Sequence, residues 1–550
     1  MNSHIECFVK LVVAALLSVG GACGTGMAGE APRRTVSLYW TTEAAVDRLD
    51  VARMGASIRA RHPDEEARAI AVWRYVRRTM YHYPMRNENH EDQFDAAKLI
   101  NVYGYSFCTQ QAVTAAAVAR AAGLEARVIG VPGHGMYEVF YDDRWHAFCT
   151  TAGFYVRTRA ADGHVASMDE LKADPTLATK AREEGRAGTP FLPCAGGPEI
   201  LDEPEGSEEV PYALTYRHYG ASFFAEAAQQ WRDLGPPNPS RYQASIELRP
   251  GESLRLDWDA SGPFVPPLIA ERFHPPRHLC GAKDRMNPFF EEIAPYARTL
   301  CGTTVYRYYG SGEHAWKPAL SDAEVLQDLA RAENVTVEDG SLRPRDPAKP
   351  ALVEMEMAGP YVYVNGTFTG RTTVAKDAQL KISLQGTDTQ GPWRELHAAA
   401  GDGRFRIPLG DLQPTKPVDP KARRSFTRYR FRVRVEMSGG AAIWDLTLRA
   451  AVQHNWAALP RLAPGPNTIE VRSQHGIPPP GVTLELAWEE GSRRRTLRRP
   501  VISGRDQYLA EVEMKSPPRM RHVLFARGMQ EEGNGADLPS TVRRTAKYKQ

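Results

Sequence analysis

The residues whose types and spacing could do covalent chemistry are Cys108 and His134, both inside the stretch Asn101–Thr151. A cysteine attacks as its thiolate, and a histidine folded over it can take and return the proton, so a Cys-His pair is apparatus for acyl transfer. Such a pair needs a third group to orient the imidazole. Glu138 lies on the same strand face as His134, because side chains two apart share a face. Asp142 and Asp143 also follow, but adjacent aspartates between strands read first as turn residues. A cysteine at a helix start is also commonly a small buried hydrophobe. The order of the pair and the elements around it carry the reading, not either residue alone.

Those elements are legible. Thr109–Ala122 is almost continuous Ala and Val and stops at Gly123, a helix with a glycine stop. Its side chains are small almost all round, so it is buried and other elements must wrap it. Cys108 stands at its N-terminus, where free backbone N–H groups and the helix dipole favour an anion. Three strands are expected next: Ala126–Val131, Met136–Tyr141 with His134 opening it, and Arg144–Phe148, the last two joined by a tight turn at Asp142-Asp143.

A cysteine opening a helix, followed by His134-Gly-Met-Tyr-Glu138-Val-Phe-Tyr-Asp142-Asp-Arg-Trp145-His146, resembles the transglutaminase-like superfamily, a papain-like thiol fold. The resemblance covers roughly residues 35 to 185. It implies Cys108 as nucleophile, His134 as base, and Tyr103, Tyr105 and Trp145 as contacts to substrate. The family's third residue is an Asp, and this chain has Cys149 there. The activity implied is acyl transfer or hydrolysis at an amide bond of a peptide or cell-surface polymer. Two other readings stay open: a catalytically impaired binding protein, and a lyase-type polysaccharide enzyme using histidines and tyrosines of the cleft.

The chain has 550 residues, 42% hydrophobic and 25% charged, with a net charge of +3, so overall charge favours no nucleic-acid partner. Lys10, the apolar run 11–19 and the small residues up to Ala28 read as an export signal, placing the protein in the periplasm or outside. Cys23 raises the alternative of a lipid anchor. Beyond the signal, Cys108, Cys149, Cys194, Cys280 and Cys301 remain. Nearest-neighbour pairing would join Cys149 to Cys194 and Cys280 to Cys301; a Cys108–Cys149 crosslink is the competing arrangement. No metal or nucleotide signature is visible, so no cofactor is expected.

The fold class expected is α+β: a transglutaminase-like N-terminal domain and then a mainly antiparallel β-sandwich region. The expected divisions are a signal at 1–28, the thiol domain at 29–210, a β-rich intermediate at 211–345, the sandwich at 346–525 and a disordered tail at 526–550. Residues 42–83 read as helical, with Ala69, Val72, Trp73, Val76 and Met80 facing the core and Arg68, Arg74, Arg77 and Arg78 forming a solvated face. Residues 245–258 read as a hairpin around Pro250-Gly251. In residues 427–435, Arg428, Arg430, Arg432 and Arg434 share one strand face, a candidate for docking an acidic polysaccharide.

Overall fold

The computed structural model describes residues 35–82, 88, 92–132, 134–151, 155–181, 184, 228–258, 264–265, 308–376, 378–386, 392–399, 401–412 and 429–528. The expected signal, residues 529–550 of the expected tail, Arg428, Cys194, Cys280 and Cys301 lie outside the described residues, whereas 526–527, also expected in the tail, belong to the strand Arg519–Arg527. The unit described below begins at Arg34.

The helix Cys108–Ala121 is the axis of the N-terminal half. Because its faces are Ala and Val, neighbours approach closely on both sides, and Ala112, Ala115, Ala116 and Ala119 are fully buried. Gly55 brings the helix Val51–Arg61 against the backbone of Ala121, where a Cβ would collide. The single helical stretch expected over 42–83 is two helices, Val51–Arg61 and Glu65–Thr79. Pro63 lacks the N–H needed to continue, and Asp64 restarts the chain by accepting from Ala67 N.

On the other side lies a four-stranded antiparallel sheet in the order Arg144–Phe148, His134–Tyr141, Glu125–Val131, Arg232–Asp233. The turn between the first two has Asp142 and Asp143 at φ 49° and 58°, the two left-handed residues of a primed hairpin turn. One face of this sheet, with Tyr137, Val139, Tyr141 and Phe148, packs on the cysteine helix. The other, with Ile129, Val131, Met136, Ala147 and Cys149, is covered by Val156, Ala166, Met168 and Leu171. The fourth strand crosses the expected boundary at residue 210.

The rest is antiparallel sheet. Sheets of ten and five strands carry most of the C-terminal half. A four-stranded sheet pairs Val36–Thr42 with Gly465–Ser473 and Ile246–Leu248, so the first strand, expected in the thiol domain, is built into the C-terminal half. The expected 245–258 hairpin does not form: Ile246–Leu248 pairs with Val36–Thr42, while Glu252–Asp257 pairs with Gly312–Trp316 and Arg519–Arg527. Each strand finds a longer partner elsewhere, and the turn becomes a corner between sheets. Among the described residues, no helix is long and apolar enough to cross a membrane.

Candidate active site

Cys108 is held from behind by the chain that leads into it. Leu99–Tyr103 forms a π-helical turn ended by Gly104 at φ 67°, a local widening that often marks functional positions. Asn101, fully buried, donates to the carbonyls of Arg48 and Ala97 and accepts from Arg48 Nη1 at 2.6 Å. At the helix start, the Gln110 amide oxygen accepts from Phe107 N at 3.1 Å, while its Nε2 donates to Gln93 O at 2.8 Å. The first turn is thus fixed, and Cys108 is left partly exposed with Sγ 4.0 Å from Thr109 Oγ1.

The strand His134–Tyr141 begins against that first turn. Gly135 has no side chain there for a reason: a Cβ would stand 2.7 Å from Thr109 Cα and 3.0 Å from Thr109 N. Any other residue would push the strand from the helix. This contact joins the backbone at the start of the strand to the first turn of the helix, Gly135 and Thr109 being the chain neighbours of His134 and Cys108. His134 is buried, and its Nε2 lies 3.2 Å from Cys149 Sγ.

Cys149 is itself locked. Trp73 Nε1 donates to Cys149 O at 3.0 Å, and Arg77 Nη1 donates to Thr150 O at 2.6 Å. Thr151 Oγ1 donates to Gln111 Oε1 at 3.2 Å, tying the same segment to the cysteine helix. Arg77 and Arg68 are therefore not on a solvated face: both are buried, Arg68 spanning the carbonyls of His62, Pro63 and Ala122. A buried guanidinium is tolerated when carbonyls take its donors. Cys108 and Cys149 are not joined to each other, so the Cys108–Cys149 crosslink is not made, and the expected partner Cys194 lies outside the described residues.

Other expected members stand elsewhere. Glu138 is on the His134 face but four residues along, roughly 13 Å away at strand rise. It accepts from Arg127 Nη2 at 2.6 Å and Met168 N at 2.8 Å. Burial pushes its carboxyl above the usual range against those hydrogen bonds, and it does not serve His134. Trp145 pairs with Phe140, roughly 20 Å from His134, and covers the Arg127 guanidinium at 4.0 Å. Tyr103 is fully buried, donating to Glu88 Oε1 at 2.6 Å, which makes it an anchor and not a substrate contact. The side chain of Tyr105 lies outside the described residues.

The arginine strand faces a row of carboxylates. Arg432 Nε lies 2.6 Å from Glu356 and Arg434 Nη2 lies 2.6 Å from Glu354, both acids being buried on the neighbouring strand Ala351–Ala358. Arg434 also stacks on Trp393 at 3.8 Å, while Arg430 is half exposed and 3.9 Å from Glu356. Among the described residues no cluster of three or more His, Cys, Asp or Glu side chains could hold a metal ion.

Sequence reasoning missed Arg77, Trp73 and Gln110 as supports of the site. Trp73 and Gln110 carried a signal, the first in helical register with the core and the second as the N3 residue of the cysteine helix.

Comparison with known proteins agrees with this domain. Residues 52–163 match the family model described as transglutaminase-like superfamily. No curated protein matches the chain. Similar solved structures include one titled "CBM4 structure and function", 13% identical over 26% of this chain and 86% of that one, with a TM-score of 0.13. Another is an FMN-binding beta-glucuronidase from Facaelibacterium prausnitzii L2-6, 9% identical over 35% of this chain and 28% of that one, with a TM-score of 0.11. Likenesses at such scores carry no argument about fold or function. Cys108, His134 and Cys149 all fall inside the matched residues, and the chain carries a transglutaminase-like domain at residues 52–163, followed by a mainly antiparallel β-sheet region.

Proposed function

We propose that this domain is a cysteine acyl-transfer site. Cys108 attacks an amide carbonyl, His134 takes the thiol proton and returns it to the leaving amine, and the acyl group passes from sulfur to water or a second amine. The observation that supports this reading is the contact of Gly135 with Thr109, the chain neighbours of the histidine and of a partly exposed thiol at a helix N-terminus. A tight Cys-His hydrogen bond is not required in the resting protein, because catalytic contacts commonly close only with substrate bound. Peptide amides outside the cytoplasm are the proposed substrates, with export resting on the sequence of residues 1–28.

The test is selective alkylation. Iodoacetamide should label Cys108 at mildly alkaline pH at least about tenfold faster than it labels free cysteine, and His134→Gln should remove about two orders of magnitude of any acyl-transfer rate. Labelling of Cys108 no faster than free cysteine would leave a binding domain that has kept the fold and lost the chemistry.

A further inference from the structure

Among the described residues, a second thiol touches the imidazole. Nε2 of His134 and Sγ of Cys149 are 3.2 Å apart, Cys149 is fully buried, and its carbonyl and that of Thr150 accept from Trp73 and Arg77. A carboxylate in that place accepts only, which forces the proton onto Nε2 and leaves the Nδ1 lone pair to receive a proton from the nucleophile. A neutral thiol both donates and accepts weakly, so it permits either tautomer. With S–H donating to Nε2, the ring proton sits on Nδ1 and the imidazole cannot act as base. In the serine triad, losing the tautomer that the acid enforces costs about 10⁴ in rate.

We propose that Cys149 is a positioning residue that enforces the productive His134 tautomer only as a thiolate, so that its ionisation gates the reactivity of Cys108. This rests on the acyl-transfer reading above. The step balances with one proton lost to solvent: Nδ1–H is released on the side of the partly exposed Cys108, the S–H proton of Cys149 passes to Nε2, and the resulting thiolate accepts from Nε2–H. Cys108 then transfers its own proton to Nδ1, giving a thiolate and an imidazolium held between two sulfurs.

Among the described residues, the titratable groups around Cys149 are engaged elsewhere or stay neutral. Tyr137 is buried beside it with its hydroxyl kept protonated well above the usual range by burial. Glu138 on the same sheet is engaged by Arg127 and Met168 N. On the helix Met168–Ala173, Asp169 accepts from the Trp231 indole at 3.0 Å, Glu170 meets His164 at 2.8 Å, and Lys172 is on its exposed side. His146 is bound between the carbonyls of Val165 and Tyr141, Arg157 pairs with Glu66, and Arg77 is turned to the backbone of Thr150.

The experiment measures acylation of Cys108 by p-nitrophenyl acetate against pH in the full chain, with Cys108→Ala as the blank. Rates are read relative to free cysteine at the same pH, because any cysteine nucleophile speeds up as it ionises; that ratio should rise on the alkaline side in the native protein and show no rise in Cys149→Asp, which should already be about tenfold or more faster than native at pH 7. Cys149→Ser, close to cysteine in size and unable to ionise in this range, should lack the rise and stay slow. A rise that persists in Cys149→Ser, or a Cys149→Asp profile identical to native, overturns the gate while leaving Cys108 as a nucleophile. A native Cys108 no more reactive than free cysteine, with reactivity recovered only in Cys149→Asp, overturns the catalytic reading of the native chain and supports the positioning role. No enhanced reactivity in any variant overturns both.

Discussion

At the scale of single residues, the site depends on a side chain that is absent. Gly135 lets the strand touch the backbone of Thr109, and a methyl group there must move one of the two elements. Gly135→Ala is expected to cost about 1–3 kcal/mol, the usual penalty for forcing volume into a packed contact. It should slow iodoacetamide labelling of Cys108 more than its effect on unfolding explains. Equal labelling rates in Gly135→Ala and the native chain would mean that the two residues need not approach. Glu138 makes the complementary point: it lies on the face that strand alternation assigns it, yet four residues of strand rise and an arginine decide whom it serves.

At the scale of elements, two contacts have measurable consequences. The layer covering the outer sheet face is fastened by His164, whose Nδ1 meets Asp162 at 2.7 Å and whose Nε2 meets Glu170 at 2.8 Å. Burial opposes its charge, but these carboxylates outweigh burial and raise its pKa above 6.5. A raised folded value means that the stabilisation is complete below the unfolded pKa and is lost as pH rises through the folded one. Thermal midpoints of native protein and His164→Gln should therefore differ most near about pH 5.5 and converge on the alkaline side. A gap that stays constant with pH would assign His164 a packing role alone. On the strand Arg430–Ser438, Arg434→Gln strands the buried Glu354. The remaining ion pairs of Glu354, with Arg331 at 3.8 Å and Arg432 at 3.9 Å, are longer. A loss of about 1–3 kcal/mol is expected by denaturant unfolding, less than for a fully buried pair because Arg434 is partly exposed. An unchanged unfolding midpoint would free these arginines from structural duty and return them to the polyanion reading.

At the scale of the whole molecule, the thiol domain is completed by residues far along the chain. Asn455 donates to Thr79 O at 2.7 Å and Ile100 O at 2.6 Å, and its own N–H reaches Asn101 O at 2.8 Å, beneath the turn that presents Cys108. Tyr429 shares Glu88 with Tyr103, each hydroxyl 2.6 Å from Oε1. Asn455→Ala leaves two buried carbonyls without that donor and is expected to cost about 2 kcal/mol or more. A chain ending at residue 185 loses these contacts, the strand Arg232–Asp233 and every partner of Val36–Thr42. Far-UV circular dichroism and gel filtration should show it unfolded or aggregated; a monomer with a cooperative melt would show instead that the domain is autonomous.

The sequence by itself determined what depends on short range. The Ala-rich helix with cysteine at its head, the Asp142-Asp143 turn and the alternation of the β half follow from propensity, turn chemistry and period, which act over a few residues. The order of Cys108, His134 and Cys149 was readable in the same way. Tertiary structure alone decided which partner each polar group took. Arg77 spends its charge on Thr150 O, Trp145 covers Arg127, and Asn455 supports a turn more than 350 positions earlier in the chain. Such choices are set by which buried donors and acceptors meet once the sheets assemble, and no local pattern encodes that meeting.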